Sequence, residues 1–299
     1  MVWSIIIIIF LIIIIIGIYF SNLIIYPKKI SYEEMYDREI QRGKIIEKDF
    51  NKLEKEEVYI DSLHGYKLQG LFFSVKDSKK FIIICHGFTC SLYSSIKYMN
   101  LFLKRDFNVL IYNHRYHGLS GGKNTSFGYY EKDDLKAWTD WIFQRFGEKC
   151  KVGLHGESMG GGIVLENVAI DPRIKFCIAD CAYSDMNVLM KHQLKLKYKL
   201  EKIPLLLNLV SFIIKIRAGW RFTEVSPIKA LENVETPILF IHGENDDFVP
   251  TSMSKEMYSV KKGIKDIYIA PNAAHAQAYW KNKEQYDEKV GEFLEKINM

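Results

Sequence analysis

Cysteine is scarce and unpatterned in this chain: 299 residues hold five, Cys85, Cys90, Cys150, Cys177 and Cys181. An odd number with no regular spacing excludes a disulfide framework and leans towards a reducing compartment. Cys85 and Cys177 fall in apolar segments, where the thiol behaves as a small hydrophobe. No His and Cys spacing suits a metal site. Gly160-Gly161-Gly162 lacks the Lys-Ser/Thr of a phosphate loop, and no G-x-G-x-x-G follows a strand with the required acid. The net charge of +5 is mild for this length. With no basic, aromatic-rich motif beside it, nucleic acid is excluded as a partner. There is no internal repeat, and no low-complexity tract beyond one run of isoleucines.

That run is the largest departure from an ordinary soluble chain. No charged residue precedes Lys28, and the 21 residues from Ile5 to Ile25 are almost all apolar. At 1.5 Å per residue they span about 31 Å, the thickness of a bilayer core. A secretory signal would carry a basic start, a shorter apolar stretch and a small-x-small cleavage site; none is present. Residues 1–27 are therefore expected to be a retained, single-pass transmembrane anchor, with Trp3, Tyr19 and Tyr26 at the interfaces. Lys28, Lys29, Arg38, Arg42 and Lys44 follow the span, which puts the rest of the chain on the cytoplasmic face. Residues 28–56 mix charges with Tyr32, Met35, Tyr36, Ile40, Ile45, Ile46, Phe50 and Leu53, a helical pattern broken near Gly43. This juxtamembrane segment is expected to pack on the outside of the domain or hold it off the membrane.

From residue 57 onward short apolar runs alternate with helical patterns. Val58–Asp61 and Lys67–Ser74 suggest a hairpin, with His64 and Gly65 in its turn. Strands follow at Phe81–Cys85, Val109–Tyr112, Lys151–Leu154, Lys175–Asp180, Ile238–Ile241 and Asp266–Ile269. Helices are expected near 95–104, 129–146, 160–169, 251–260 and 283–297. Such alternation implies an α/β architecture: a mostly parallel, eight-stranded sheet with helices on both faces.

Chemistry enters at Gly156-Glu157-Ser158-Met159-Gly160, between a strand and a helix. A G-x-S-x-G in that context exposes the serine on a sharp turn. Ser158 could otherwise be a helix cap, but glycines on both sides favour a nucleophile. A serine needs a base, and the base an orienting carboxylate. Candidates follow in the loops after two later strands: Asp246 after His242-Gly243, and His275 among alanines. Asp247 is a competing acid or a cap for the helix from Thr251, and Asp180 ends its own strand. The spacing from His242-Gly243 favours Asp246. His86, His155 and His242 each end a strand beside glycine and are expected to bond nearby backbone. His114 and His117 lie in a loop that could shape the site, and His192 is expected to be a solvated helix residue.

Five motifs in this order resemble the α/β-hydrolase superfamily: His86-Gly87-Phe88, His114 to Ser120, the serine elbow, His242 to Pro250, and His275. The resemblance covers roughly residues 57–299 and is nearest to small bacterial serine esterases and lipases. It implies Ser158 as nucleophile, His275 as general base and acid, and Asp246 as orienting carboxylate. The backbone N–H groups of Phe88 and Met159 would form the oxyanion hole. No cofactor is implied. The family usually has glycine where Tyr116 stands and aspartate where Asn113 stands. Serine rather than aspartate at 158 excludes haloalkane dehalogenation.

One interval, about 185–226, is too long for a simple connection, and the resemblance implies a cap there. Lys191, Lys195, Lys197, Lys199 and Lys202 precede an apolar stretch from Pro204 to Ile214. This suits a lid touching anionic lipid, or an apolar helix roofing the pocket with its lysines in water, which is favoured. Both give an apolar roof, suited to acyl or aromatic esters. The expected activity is hydrolysis of carboxylic esters, of short or medium acyl chains or monoacylglycerol-like lipids. A serine peptidase or thioesterase is the alternative. A non-catalytic scaffold would be expected to lack a triad member, and none is missing.

Overall fold

The computed structural model describes residues 2–200 and 204–299; Lys202 lies outside them. Helix α1 (Val2–Ile25) comes first, then two short helices, α2 (Tyr32–Gln41) and α3 (Glu47–Lys52). The strands are β1 (Glu56–Asp61), β2 (Lys67–Phe73), β3 (Lys80–Cys85), β4 (Phe107–Tyr112), β5 (Lys151–Glu157), β6 (Ile174–Asp180), β7 (Ile238–Gly243) and β8 (Lys265–Ala270). Between and after them come α4 (Ile96–Leu103), α5 (Glu131–Phe146), α6 (Met159–Val168), α7 (Met186–Tyr198), α8 (Pro204–Ala218), α9 (Pro227–Ala230), α10 (Thr251–Val260), α11 (Ala278–Lys281) and α12 (Lys283–Lys296).

The strands form one sheet in the order β1-β2-β4-β3-β5-β6-β7-β8. β1 and β2 pair antiparallel, as does β2 with β4, and every other pairing is parallel. The interior strands are covered on both faces, so they read as continuous apolar runs rather than as alternation. Ile82, Ile83 and Ile84 are all fully buried; each contributes about 1.5–3 kcal/mol relative to exposure. One face packs under α5, α6 and the cap, with Trp138, Ile163, Val164 and Trp220. The other packs under α4 and α12, with Phe102, Tyr286 and Phe293.

The segment of residues 28–56 breaks near Gly43, between α2 and α3. Ser31 caps α2 by accepting from the Glu34 N–H at 3.1 Å. Gly43 turns the chain at φ +65°, a conformation costly for any residue with a Cβ. Ile45 and Phe50 then join the α4 side of the core.

The cap is two helices, α7 and α8. Asp185 caps α7, its carboxylate accepting from the N–H groups of Asn187 and Val188. Unforeseen from the sequence is that α1 does not stand apart from the domain. Gly17, Ser21 and Ile25, four residues apart, form a buried stripe along it. A Cβ on Gly17 would sit 2.5 Å from Ile213 Cδ1 of α8, so the two helices touch closely here and a larger residue would have to push that side chain aside. Ser21 Oγ accepts from Arg217 Nη1 at 2.6 Å, and the Thr125 N–H donates to the Ile25 carbonyl at 3.2 Å. None of the residues from Val2 to Ile16 is buried.

Candidate active site

The elbow follows from its glycines. A Cβ on Gly156 would run into the Gly160 carbonyl, and one on Gly160 into the Cys85 carbonyl of β3. With both bare, β5 turns directly into α6 and holds Ser158 at φ 57° and ψ −114°, a strained conformation for a residue with a side chain. Ser158 occupies the position preceding α6, yet its hydroxyl makes no capping bond. It lies 2.9 Å from His275 Nε2 instead. His275 Nδ1 is 2.7 Å from Asp246 Oδ2. The structure thus brings Ser158, His275 and Asp246 into one hydrogen-bonded line, carried on loops after β5, β8 and β7. These are the C-terminal ends of parallel strands, where open α/β sheets gather functional groups.

Asp246 is held from four directions. Oδ1 accepts from the N–H groups of Phe248 (3.0 Å) and Val249 (2.9 Å). Oδ2 faces His275 and also His242 Nε2 at 3.2 Å. Burial pushes this carboxyl up, but the bonds from His242, His275 and Val249 outweigh it and bring it down to about 2. It is ionised throughout the range in which an imidazole titrates. His242 is thereby more than a backbone-bonded strand end: Nδ1 meets Ser254 Oγ at 2.7 Å, and Nε2 also lies 2.8 Å from the Val249 carbonyl.

The competing acids fall elsewhere. Asp247 does not cap α10, which starts after Pro250 with no side-chain cap. Its carbonyl faces His192 Nε2 at 2.6 Å, so His192 is no idle surface residue but ties α7 to the acid loop. Asp180 sits beneath the elbow and accepts from the hydroxyls of Tyr98 and Tyr286, each at 3.2 Å. Burial and the neighbouring Glu157 push its carboxyl up to about 6.

Phe88 and Met159 flank the serine. Met159 opens α6, where the first N–H groups have no partner within the helix. Gly87 packs beside Ser158, and Phe88 follows in the turn after β3. That turn rests on three buried histidines. His117 Nε2 accepts from the Thr89 N–H (3.3 Å), and His86 Nε2 from the His114 N–H (3.1 Å). Burial pushes His114 down to about 3 and His117 to about 4, so both are neutral props. Tyr116 stands at φ +65°, which explains the usual glycine there. Asn113 Oδ1 accepts from the Leu92 N–H, and its amide donates to Gln69 Oε1.

Two features had no clear signal in the sequence. Glu157, inside the elbow, is buried in an ion pair with Lys97 and accepts from the Tyr98 hydroxyl at 2.5 Å. His155 bonds Tyr286 Oη (2.9 Å) rather than backbone. Both depend on side chains far away in sequence. Cys181 lies within 4.8 Å of Asp246 and His275, among described residues the one grouping with metal-ligand spacing. Burial holds its thiol well above the usual range, so it offers no thiolate.

Ser158 opens into an apolar cavity of about 130 Å³. A cavity of about 150 Å³ in another protein holds benzene, so this space suits a short stretch of hydrocarbon. Phe127, Tyr183, Leu189, Leu194 and Phe248 line it. So do Leu206, Leu207 and Val210 of α8, and Phe20, Leu23 and Ile24 of α1.

Residues 80–203 match the family model described as the alpha/beta hydrolase fold. The uncharacterized protein YqkD of Bacillus subtilis is 40% identical over 285 residues, 95% of this chain and 93% of that protein. Among solved structures, the esterase Pf2001 of Pyrococcus furiosus superposes with a TM-score of 0.68 at 27% identity, covering 83% of this chain and 94% of that one. The uncharacterized peptidase YuxL of Bacillus subtilis is 42% identical, over 53 residues only, 17% of this chain and 8% of that protein. The chain belongs to the α/β-hydrolase superfamily, and it is a hydrolase by fold with an esterase among its structural neighbours.

Proposed function

We propose that the protein is a membrane-anchored serine hydrolase cleaving carboxylic esters through an acyl-enzyme. The observation that carries this reading is the line from Ser158 Oγ through His275 to Asp246, at 2.9 and 2.7 Å. Ser158 Oγ attacks the ester carbonyl carbon while His275 Nε2 takes its proton. Charge develops on the carbonyl oxygen, which the N–H groups of Phe88 and Met159 would receive. The intermediate collapses, and the alcohol leaves with the proton from His275. Water, deprotonated by the same imidazole, then attacks the acyl-enzyme and releases the acid. Asp246 fixes the imidazole tautomer and stabilises its protonated form.

The small apolar cavity supports short or medium acyl chains, including those of monoacylglycerol-like lipids. An apolar lining suits these better than sugars or highly charged groups. The peptidase reading rests on a short stretch of likeness to YuxL, whereas the esterase likeness spans most of the fold.

Retention of α1 as an anchor is supported by its buried stripe: a segment removed after secretion would leave the cavity without one wall. We also propose a cytoplasmic catalytic domain, because the cations from Lys28 to Lys44 all follow the span. The test is labelling of the full chain in detergent by a fluorophosphonate probe, beside Ser158→Ala and His275→Ala. Labelling of the wild type alone is expected. An unlabelled, folded wild type would overturn the reading.

A further inference from the structure

The anchor and the cavity share residues. Phe20, Leu23 and Ile24 line the pocket that Ser158 opens into, yet they belong to the apolar run that matches a bilayer in length. Leu23 is 44% exposed, so it faces the cavity and the surroundings at once. Leu206, Leu207 and Val210 of α8 line the same cavity, with Gln193 and Lys197 of α7.

The two helices run in the same direction where they touch. Gly17 meets Ile213, and one turn later Ser21 meets Arg217. The N-terminal half of α8, with Leu206, Leu207 and Val210, reaches the cavity that Phe20, Leu23 and Ile24 line, so it is the middle of α8, at Ile213, that packs on Gly17. Ile25 stands near the end of the run, and Gly17 is eight residues before it, about 12 Å along the axis. If Ile5–Ile25 fills the hydrocarbon, whatever packs on Gly17 lies on the order of 10 Å below its edge.

The outer face of α8 is built for that place. Leu205, Phe212 and Ile216 share one stripe with a single exposed amide, Asn208, and are 79%, 53% and 70% exposed. The charged group on the shared face, Arg217, is drawn towards the boundary: its guanidinium lies 5.3 Å from the Tyr26 ring, at the end of the span. A long side chain reaching for the interface from a shallow apolar site behaves this way.

Resting on the serine-hydrolase and anchor readings, we infer that α8 is submerged in the bilayer beside α1 and that the substrate is a single-chain lipid ester. Its acyl chain passes sideways from the leaflet into the pocket, between Phe20, Leu23 and Ile24 on one side and Leu206, Leu207 and Val210 on the other. The anchor is then a wall of the acyl site as well as a tether. The chain need not cross water to reach Ser158.

The test uses the full chain in phosphatidylcholine vesicles. A spin label at Phe212→Cys, in a Cys90→Ser background, is expected to relax more with oxygen than with a nickel chelate. A label at Leu63→Cys, on an exposed turn of the domain, should show the reverse. Leu23→Trp is expected to lower the ratio of decanoyl to butyryl ester kcat/KM about tenfold by narrowing the entrance. Leu205→Glu/Phe212→Glu/Ile216→Glu should cut hydrolysis of vesicle-borne monodecanoylglycerol about tenfold, with hydrolysis of a water-soluble butyrate ester in detergent within about twofold of wild type. Nickel access at 212 equal to that at 63 would overturn the submerged cap. An unchanged chain-length ratio in Leu23→Trp would overturn the entrance. Fluorophosphonate labelling separates these failures from that of the serine reading: a labelled enzyme with a water-exposed position 212 loses only the inference drawn here.

Discussion

Lys97→Met tests how the elbow is supported. Lys97 and Glu157 are both buried, and they form an ion pair directly behind Ser158. Burial alone would push the Glu157 carboxyl up and the Lys97 ammonium down. Their mutual attraction, with the Tyr98 hydroxyl, reverses both, leaving Glu157 lowered and Lys97 raised. Removing the cation strands one carboxylate beside another, since Asp180 shares Tyr98 with it. Breaking one side of such a pair costs about 3–5 kcal/mol. For a domain of this size that lowers Tm by about 6–20 °C.

The sign with pH follows. In the wild type, the lowered Glu157 contributes stability that is present above its unfolded pKa, about 4.3, and lost as pH falls below it. In Lys97→Met the carboxyl is raised instead, so its penalty is present at high pH and relieved as it takes up a proton. The deficit relative to wild type should therefore be larger at pH 8 than at pH 5. Lys97→Met/Glu157→Gln should recover most of it at pH 8. The assay is thermal unfolding of the full chain in detergent, followed by circular dichroism at both pH values. A deficit below about 1 kcal/mol at pH 8, with no pH dependence, would mean that solvent reaches the pair and would refute the argument.

Asp246→Asn should lower ester kcat about 10⁴-fold, as loss of the orienting carboxylate does in serine hydrolases generally, read by steady-state hydrolysis. His242→Ala touches the same carboxylate one step further from the serine; a loss of about tenfold in kcat is expected, with KM little changed. Gly160→Ala should abolish fluorophosphonate labelling or the fold itself, because the new methyl meets the Cys85 carbonyl. Asp180→Asn should raise Tm most at pH 8, about half as much at pH 5 and not at all at pH 3: burial holds Asp180 up at about 6, so the cost of ionising it builds as pH rises from about 4 through 6.

The sheet was legible because its interior strands are covered on both sides: apolar runs such as Phe81–Cys85 leave little else to be. The elbow was legible because close backbone approach demands glycine at 156 and 160. Asp246 stood out from Asp247 only through its spacing from His242-Gly243, and the structure adds the reason for that spacing, a bond between the two side chains. His155, Lys97 and Glu157 could not be read, since each has its partner in another element and no local pattern marks a tertiary ion pair. The docking of α1 was hidden more deeply. An apolar helix facing lipid and one facing protein have the same composition, and only Gly17 and Ser21, small residues four apart in a run of isoleucine, hinted at a packed side.

The bond between Ser21 and Arg217 joins positions 196 residues apart. At typical rates of synthesis, 5–20 residues per second, about 10–40 s separate their emergence from the ribosome. A segment made early is therefore among the last to find its protein partners. Until then Gly17 and Ser21 lack the partners they have in the folded chain, and the half-finished pocket lacks its roof. Closure of the cavity beside Ser158 becomes a late event in the life of each newly made chain, timed by translation of the cap.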